Sequence, residues 1–132
     1  MTSRFTAREL AYLQSGQARL ARIATVGRDG MPHVVPAGWS YDTENDAIDI
    51  GGIDLTSTKK YRDAARTGTA AVVIDDVLPP WRPRGVEVRG RAEVIQRPEP
   101  RIRIHPTRIV SWGLDSDAIG ERRGRDIPKQ QL

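Results

Sequence analysis

The chain of 132 residues contains no cysteine. Disulfides and thiolate metal sites are therefore excluded, and the composition fits a reducing compartment. Only two histidines occur, His33 and His105, too few for a histidine-rich metal site, and no bound metal is expected. Phenylalanine appears once, beside three tryptophans and three tyrosines. A protein that stacks single-stranded nucleic acid on an open face needs more aromatic platforms than this. No apolar run approaches the roughly 20 residues that cross a bilayer. The first ten residues carry Arg4, Arg8 and Glu9 with no apolar stretch behind them, unlike a secretory leader. The expectation is a cytoplasmic protein with no membrane partner.

What is abundant is charge: 21 Lys and Arg against 17 Asp and Glu, a net charge of +4. A basic surface suits nucleic acid, an acidic small molecule, or no specific partner. The positive residues are dispersed except at Arg122, Arg123 and Arg125. Acidic interruptions at Asp42, Glu44, Asp46 and Asp75-Asp76 argue against a nucleic-acid barrel. The length favours one domain, which should bury about two-thirds of its unfolded surface.

Residues 6–14 read as a short helix, opened by a capping box of Thr6 and Glu9 with Leu10 and Leu13 on one face. Residues 19–26 are strand-like, and Asp29-Gly30 suits a tight hairpin turn into an extended segment over 32–41. Pro36 within that segment implies an edge or a bulge. A short strand over 47–50 ends at Gly51-Gly52. The period then changes: 55–66 reads as a helix with Thr56 or Ser57 as its cap and Gly68 as its close. Residues 69–74 are almost wholly apolar, as in a strand buried on both faces. A proline-rich loop over 78–84 leads to a cleanly alternating strand over 85–95. A last strand spans 101–112, interrupted at His105-Pro106. The expected domain is 1–113, with 114–132 a polar C-terminal tail. The fold class is mainly β: about six antiparallel strands forming a barrel or sandwich, with short peripheral helices.

The stretch 51–60 carries the most chemical information. Two glycines, then Thr56, Ser57 and Thr58, then Lys59 and Lys60 stand at a helix start. Unpaired amides, hydroxyls and ammonium groups together form a phosphate cradle. The plainer reading is ordinary capping with solvated lysines. The glycine spacing of a P-loop is absent. No catalytic constellation is visible. His33 and His105 read as structural, and Asp75-Asp76 as solvated or capping residues. If the chain is an enzyme, a cofactor carries the chemistry.

Several segments, taken in order, resemble a known family. They are 20–26, Asp29-Gly30-Met31-Pro32-His33-Val34-Val35-Pro36, Ile48-Asp49-Ile50-Gly51-Gly52 and Thr58-Lys59-Lys60-Tyr61-Arg62. Then come 70–76, 81–92 and 103–113. The chain resembles the split-barrel pyridoxamine 5′-phosphate oxidases and their deazaflavin-dependent actinobacterial relatives. That resemblance implies a six-stranded split barrel and a homodimer with two cofactor grooves between subunits. Thr25, Val26, Pro36, Ala37, Gly38 and Trp39 would line the ring system, with Ile50 and Gly51 approaching it. Thr58, Lys59 and Lys60 would hold the phosphate. Trp81 and Trp112 would reach the partner's site or equally serve the core or an interface. The chain between Ile95 and Arg101 is shorter than relatives often have, and no pyridoxal-phosphate contact set is present, so the namesake reaction is disfavoured. The implied activity is an oxidoreductase that uses coenzyme F-420, with FMN as the alternative, and passes hydride to a small unsaturated substrate. A flavin- or deazaflavin-binding protein without turnover is the second reading.

Overall fold

The computed structural model describes residues 2–18, 20–114 and 121–129. Alternation of apolar and polar residues resolves into one curled antiparallel sheet. β1 (Ala21–Val26) and β2 (Pro32–Ala37) form a hairpin. Its turn is the one expected at Asp29-Gly30: Gly30 takes φ of +81°, and the Met31 amide donates to the Asp29 carboxylate at 3.0 Å. β3 (Trp39–Asp42) and β4 (Ala47–Ile50) form a second hairpin. β5 (Thr69–Leu78), β6 (Arg82–Ile95), β7 (Arg101–Trp112) and β8 (Arg122–Asp126) follow as antiparallel neighbours.

Across the sheet the order is β2-β1-β5-β6-β7-β4-β3, with β8 also on β7. β2 and β3 stand at its two ends, yet Gly38 alone separates them in the chain. The sheet must therefore curl until its ends meet, and there the Gly51 amide donates to the Gly38 carbonyl at 3.1 Å. The result is a half-barrel of the split-barrel type.

The strand count differs from six for two reasons. The single segment expected over 32–41 breaks at Gly38 into β2 and β3. Part of the expected tail, 122–126, is β8. Pro36 does sit on an edge strand, as its missing N–H requires. The proline-rich loop is shorter than expected, because β5 runs to Leu78 and β6 starts at Arg82. β5 is also not buried on both faces. Ala70, Val72 and Ile74 are buried, while Ala71 and Val73 are only half-buried.

The interruption at His105-Pro106 is a bulge. Arg89 faces Arg108 but Gly90 faces Pro106, which leaves Thr107 as the extra residue. A Cβ on Gly90 would lie 1.8 Å from the His105 carbonyl oxygen, so only glycine fits this crossing.

α1 (Ala7–Gln14) is opened by the Thr6–Glu9 capping box and buries Glu9, Tyr12 and Leu13; Leu10 is half-buried. The second helical region is a 3₁₀ turn (Leu55–Ser57) and then α2 (Lys59–Thr67). The cap of α2 is Thr58, not Thr56 or Ser57, because those two lie within the 3₁₀ turn. Gly68 closes α2 at φ of +69°. The core holds Ile23, Ile48, Ile50, Ile74, Ile102, Ile104 and Ile109, each at most 1% exposed. Each contributes about 1.5–3 kcal/mol by leaving water.

Candidate functional site

Strands β1, β5, β6 and β7 frame an open groove of about 550 Å³. Its floor is low because the side chains there are small, Ala24 and Ala71, with Ala70 and Gly90 contributing beside them. Cross-strand pairing brings them together, with Ala24 opposite Ala71 and Ala70 opposite Gly90. Arg89 and Arg91 rise from β6, and Thr25, Val26 and Pro32 close one end. The Arg89 guanidinium is bidentate on Glu87 at 2.9 and 3.1 Å.

Behind Thr25 lies a charged hub on α2. Asp63, only 2% exposed, faces the Arg66 guanidinium at 2.9 Å, the Thr25 hydroxyl at 3.4 Å and the Lys59 ammonium at 3.5 Å. The spacings i−4 and i+3 put both cations on the helix face that carries Asp63. Burial raises the Asp63 carboxyl, but the Arg66 hydrogen bond and the Lys59 charge outweigh it and hold the group below its ordinary range. Arg66 also donates to the Val26 carbonyl and so ties α2 to the end of β1.

The residues expected to bind cofactor fall into two clusters. Thr25, Val26, Thr58, Lys59 and Lys60 belong to β1 and the first turn of α2. The Thr58 hydroxyl donates to the Leu55 carbonyl at 2.6 Å and accepts from the Tyr61 amide at 3.4 Å. Lys60 is half-buried and makes no side-chain bond among the described residues. The first amides of a helix have no intrahelical partner, so this turn presents donors and positive charge.

The second cluster contains Pro36, Ala37, Gly38, Trp39, Ile50 and Gly51. Trp39 faces Ile50 across the ladder, and its indole N–H donates to the Ala18 carbonyl at 3.2 Å. The side chains of Ala37 and Ile50 are buried. Gly38 and Gly51 have open space where a Cβ would stand. Within the first hairpin the two clusters are staggered. Val26 pairs with Pro32, and Ala21 pairs with Ala37. Val26 and Ala37 thus stand at opposite ends of the first hairpin, about 17 Å apart at strand rise.

Sequence reasoning missed Asp63, Arg66, Arg89 and Arg91. The Lys-Asp-Arg spacing on the helix was a visible signal for the first two. Nothing local marked the others, because the curl of the sheet creates the groove. Trp81 is exposed at the β5–β6 turn, while Trp112 packs against Gly85 and lies 4.9 Å beneath the Arg122 guanidinium. The Tyr61 hydroxyl is buried without a hydrogen-bond partner. Asp75 and Asp76 are strand residues paired with Arg22 and Arg84, not loop residues. Among the described residues, no group of three or more His, Asp and Glu side chains gathers as metal ligands do, and no helix is long and apolar enough to cross a membrane.

The sequence profile described as "Pyridoxamine 5′-phosphate oxidase" matches residues 7–127. A protein of Streptomyces rimosus, named 5a,11a-dehydrotetracycline/5a,11a-dehydrooxytetracycline reductase, is 37% identical over 134 residues, covering 93% of each chain. The solved FAD-binding protein of Mycobacterium smegmatis is 26% identical with a TM-score of 0.62, over 81% of this chain and 93% of that one. A structure named F420 reductase shares the fold at 23% identity and a TM-score of 0.58, over 75% of this chain and 94% of its own.

Proposed function

This chain belongs to the pyridoxamine 5′-phosphate oxidase family, and from that premise we propose that it is an oxidoreductase that binds coenzyme F-420 and reduces a small unsaturated substrate. The observation that carries the reading is the low-floored groove at the end of β1, with Lys59 from α2 reaching to Gly27, the residue after Val26. Ala24, Ala71 and Gly90 leave a surface against which a flat ring can lie. The donor set suits a phosphorylated ring cofactor: Thr58, Lys59, Lys60 and the first α2 amides would hold the phosphate. When bound, the deazaflavin supplies hydride.

The chain's own part is to orient the ring and exclude water. Val26 and Pro32 wall one end, and Arg89 and Arg91 offer positive charge to an anionic cofactor or substrate. Pro36, Ala37, Gly38, Trp39, Ile50 and Gly51 lie outside the lining of this groove. In our reading they complete the groove of a second copy, which makes the protein a homodimer. The relative from Streptomyces rimosus is named for reducing dehydro compounds, and an unsaturated acceptor is the substrate class we assign here.

FMN in the same groove is the alternative cofactor. A binding protein without turnover is the second reading. It is favoured by the groove's lining, where Arg89 and Arg91 are the titratable side chains and neither is a suitable proton donor.

Titration of tryptophan fluorescence with F-420 and FMN in parallel tests the proposal. Tight saturation by F-420, followed by turnover with unsaturated acceptors, is expected. Saturation by FMN alone would move the protein to the flavin branch. Binding of neither by a folded dimer would sink the functional reading. Lys60→Ala should weaken cofactor binding by about 1–3 kcal/mol, the loss of a charge-assisted hydrogen bond; an unchanged dissociation constant would remove Lys60 from the site.

A further inference from the structure

Glu87, Arg89, Arg91 and Glu93 alternate along the outward face of β6. Three of them are engaged. Arg89 lies bidentate on Glu87 at 2.9 and 3.1 Å, and Glu93 meets His105 Nε2 at 2.9 Å. Arg91 makes no side-chain hydrogen bond or ion pair among the described residues. It is exposed and lines the groove, whereas Glu87 and Glu93 do not line it.

The fold explains this placement. Ala24, Ala71 and Arg89 stand in one row across β1, β5 and β6, and Thr69 and Arg91 begin the next row. The two alanines give an apolar floor, and Arg91 stands at its margin. The bulge on β7 falls at the same place. In an unbroken register Arg91 would face Pro106, and His105 would turn to the other face of the sheet. The extra residue, Thr107, sets His105 opposite Arg91 instead. The Thr107 hydroxyl donates to the Arg89 carbonyl at 3.1 Å and fastens the bulge to β6. His105 thereby takes Glu93, the carboxylate next to Arg91 on this face. The His105 hydrogen bond leads the effects that hold the Glu93 carboxyl below its ordinary range, and the charge of Arg91 is a lesser one.

A guanidinium without a carboxylate of its own, at the edge of a surface suited to a flat ring, is a receptor for an oxyanion on that ring. Its planar fork of N–H groups matches a carboxylate or an enolate. A ring seated on the alanines also removes water from one side of such a pair and so strengthens it.

We propose that Arg91 is a specificity-determining residue whose guanidinium binds an anionic oxygen, a carboxylate or an enolate, of a flat substrate seated over Ala24 and Ala71. The inference rests on the cofactor reading above and names the charge that the acceptor carries. Arg89 is the lesser contributor, because Glu87 already holds its fork.

The test uses the protein loaded with whichever of F-420 and FMN it binds. A flat anion, naphthalene carboxylate, and its neutral counterpart, naphthalene carboxamide, are titrated in by calorimetry. Arg91→Gln should weaken the carboxylate about tenfold or more, with the carboxamide and the cofactor unchanged. Arg91→Lys keeps the charge without the fork and should recover part of the loss. Glu87→Gln releases Arg89 and should tighten the carboxylate alone.

Equal carboxylate binding by wild type and Arg91→Gln would overturn the proposal and leave the cofactor reading standing. So would a wild type that holds cofactor but neither probe. If Arg91→Gln weakens carboxylate and carboxamide alike, Arg91 only shapes the groove, and the proposal fails. If it weakens F-420 instead, the guanidinium serves an anionic group of the cofactor, and the substrate assignment fails. A folded wild type that binds neither cofactor would remove the reading on which the proposal rests, and the proposal with it.

Discussion

Two buried carboxylates, one on each helix, show how the same kind of group can serve a fold or a site. Glu9 on α1 and Asp63 on α2 each have a side chain 2% exposed and an arginine partner. Around Glu9 every bond is short: the Thr6 amide at 2.9 Å, the Ser111 hydroxyl at 2.7 Å and two Arg125 nitrogens at 2.7 and 3.0 Å. These partners come from α1, β7 and β8, so Glu9 fastens three elements together. Around Asp63 two of the three contacts are long, and its Lys59 partner is 47% exposed. The first carboxylate has no spare capacity. The second holds cations that remain accessible to an anion from outside.

The sharpest break in this comparison is Glu9→Ala. It strands Arg125 and Ser111 and should cost about 3 kcal/mol in urea unfolding, the low end for a broken buried pair because Arg125 is partly in water. An equal loss from Asp63→Ala would erase the distinction. Acid gives a second view of the same contrast. Burial raises the Glu9 carboxyl, but the bonds from Arg125, Thr6 and Ser111 outweigh it and hold the group below its ordinary range. A depressed acid stabilises the fold above its unfolded value and loses that contribution as pH falls through the folded one. The urea midpoint should therefore drop as pH falls below about 4.5, and Glu9→Gln should flatten part of that slope. Ser111→Ala removes one short bond to a buried charge and should cost about 1–2 kcal/mol by thermal or urea melts. Thr25→Val removes only the 3.4 Å contact to Asp63; a loss above about 0.5 kcal/mol would mean that the second hub is tighter than it looks.

Much of the architecture was legible because it follows from local rules. The capping box at Thr6 and Glu9, the Asp29-Gly30 turn, the edge proline at Pro36 and the clean alternation of β6 all have local physical causes. The eighth strand was not legible, because its residues are polar and it gains nothing from hydropathy. It is held by ladder bonds to β7, by Arg125 on Glu9 and by Arg108 on Asp126. The strand β5 misled in the opposite direction: its apolarity suggested two buried faces, whereas one chain covers only one fully. At the candidate site, the lysines at the start of α2 were visible in sequence. The groove was not, since it exists only once Ala24, Ala71 and Gly90 are brought side by side by strand pairing.

The outer edge of β7 is divided. Residues Ile102, Arg103 and Ile104 pair with β4, residues 108–112 pair with β8, and the bulge at Thr107 lies between. One strand therefore crosses two independent opening units. Release of Arg125 from Glu9 can free β8 and bare the last five residues of β7 without disturbing the ladder to β4. In amide exchange the ends of this single strand should behave as separate clocks. Those facing β4 should exchange near the global unfolding limit, and those facing β8 much sooner.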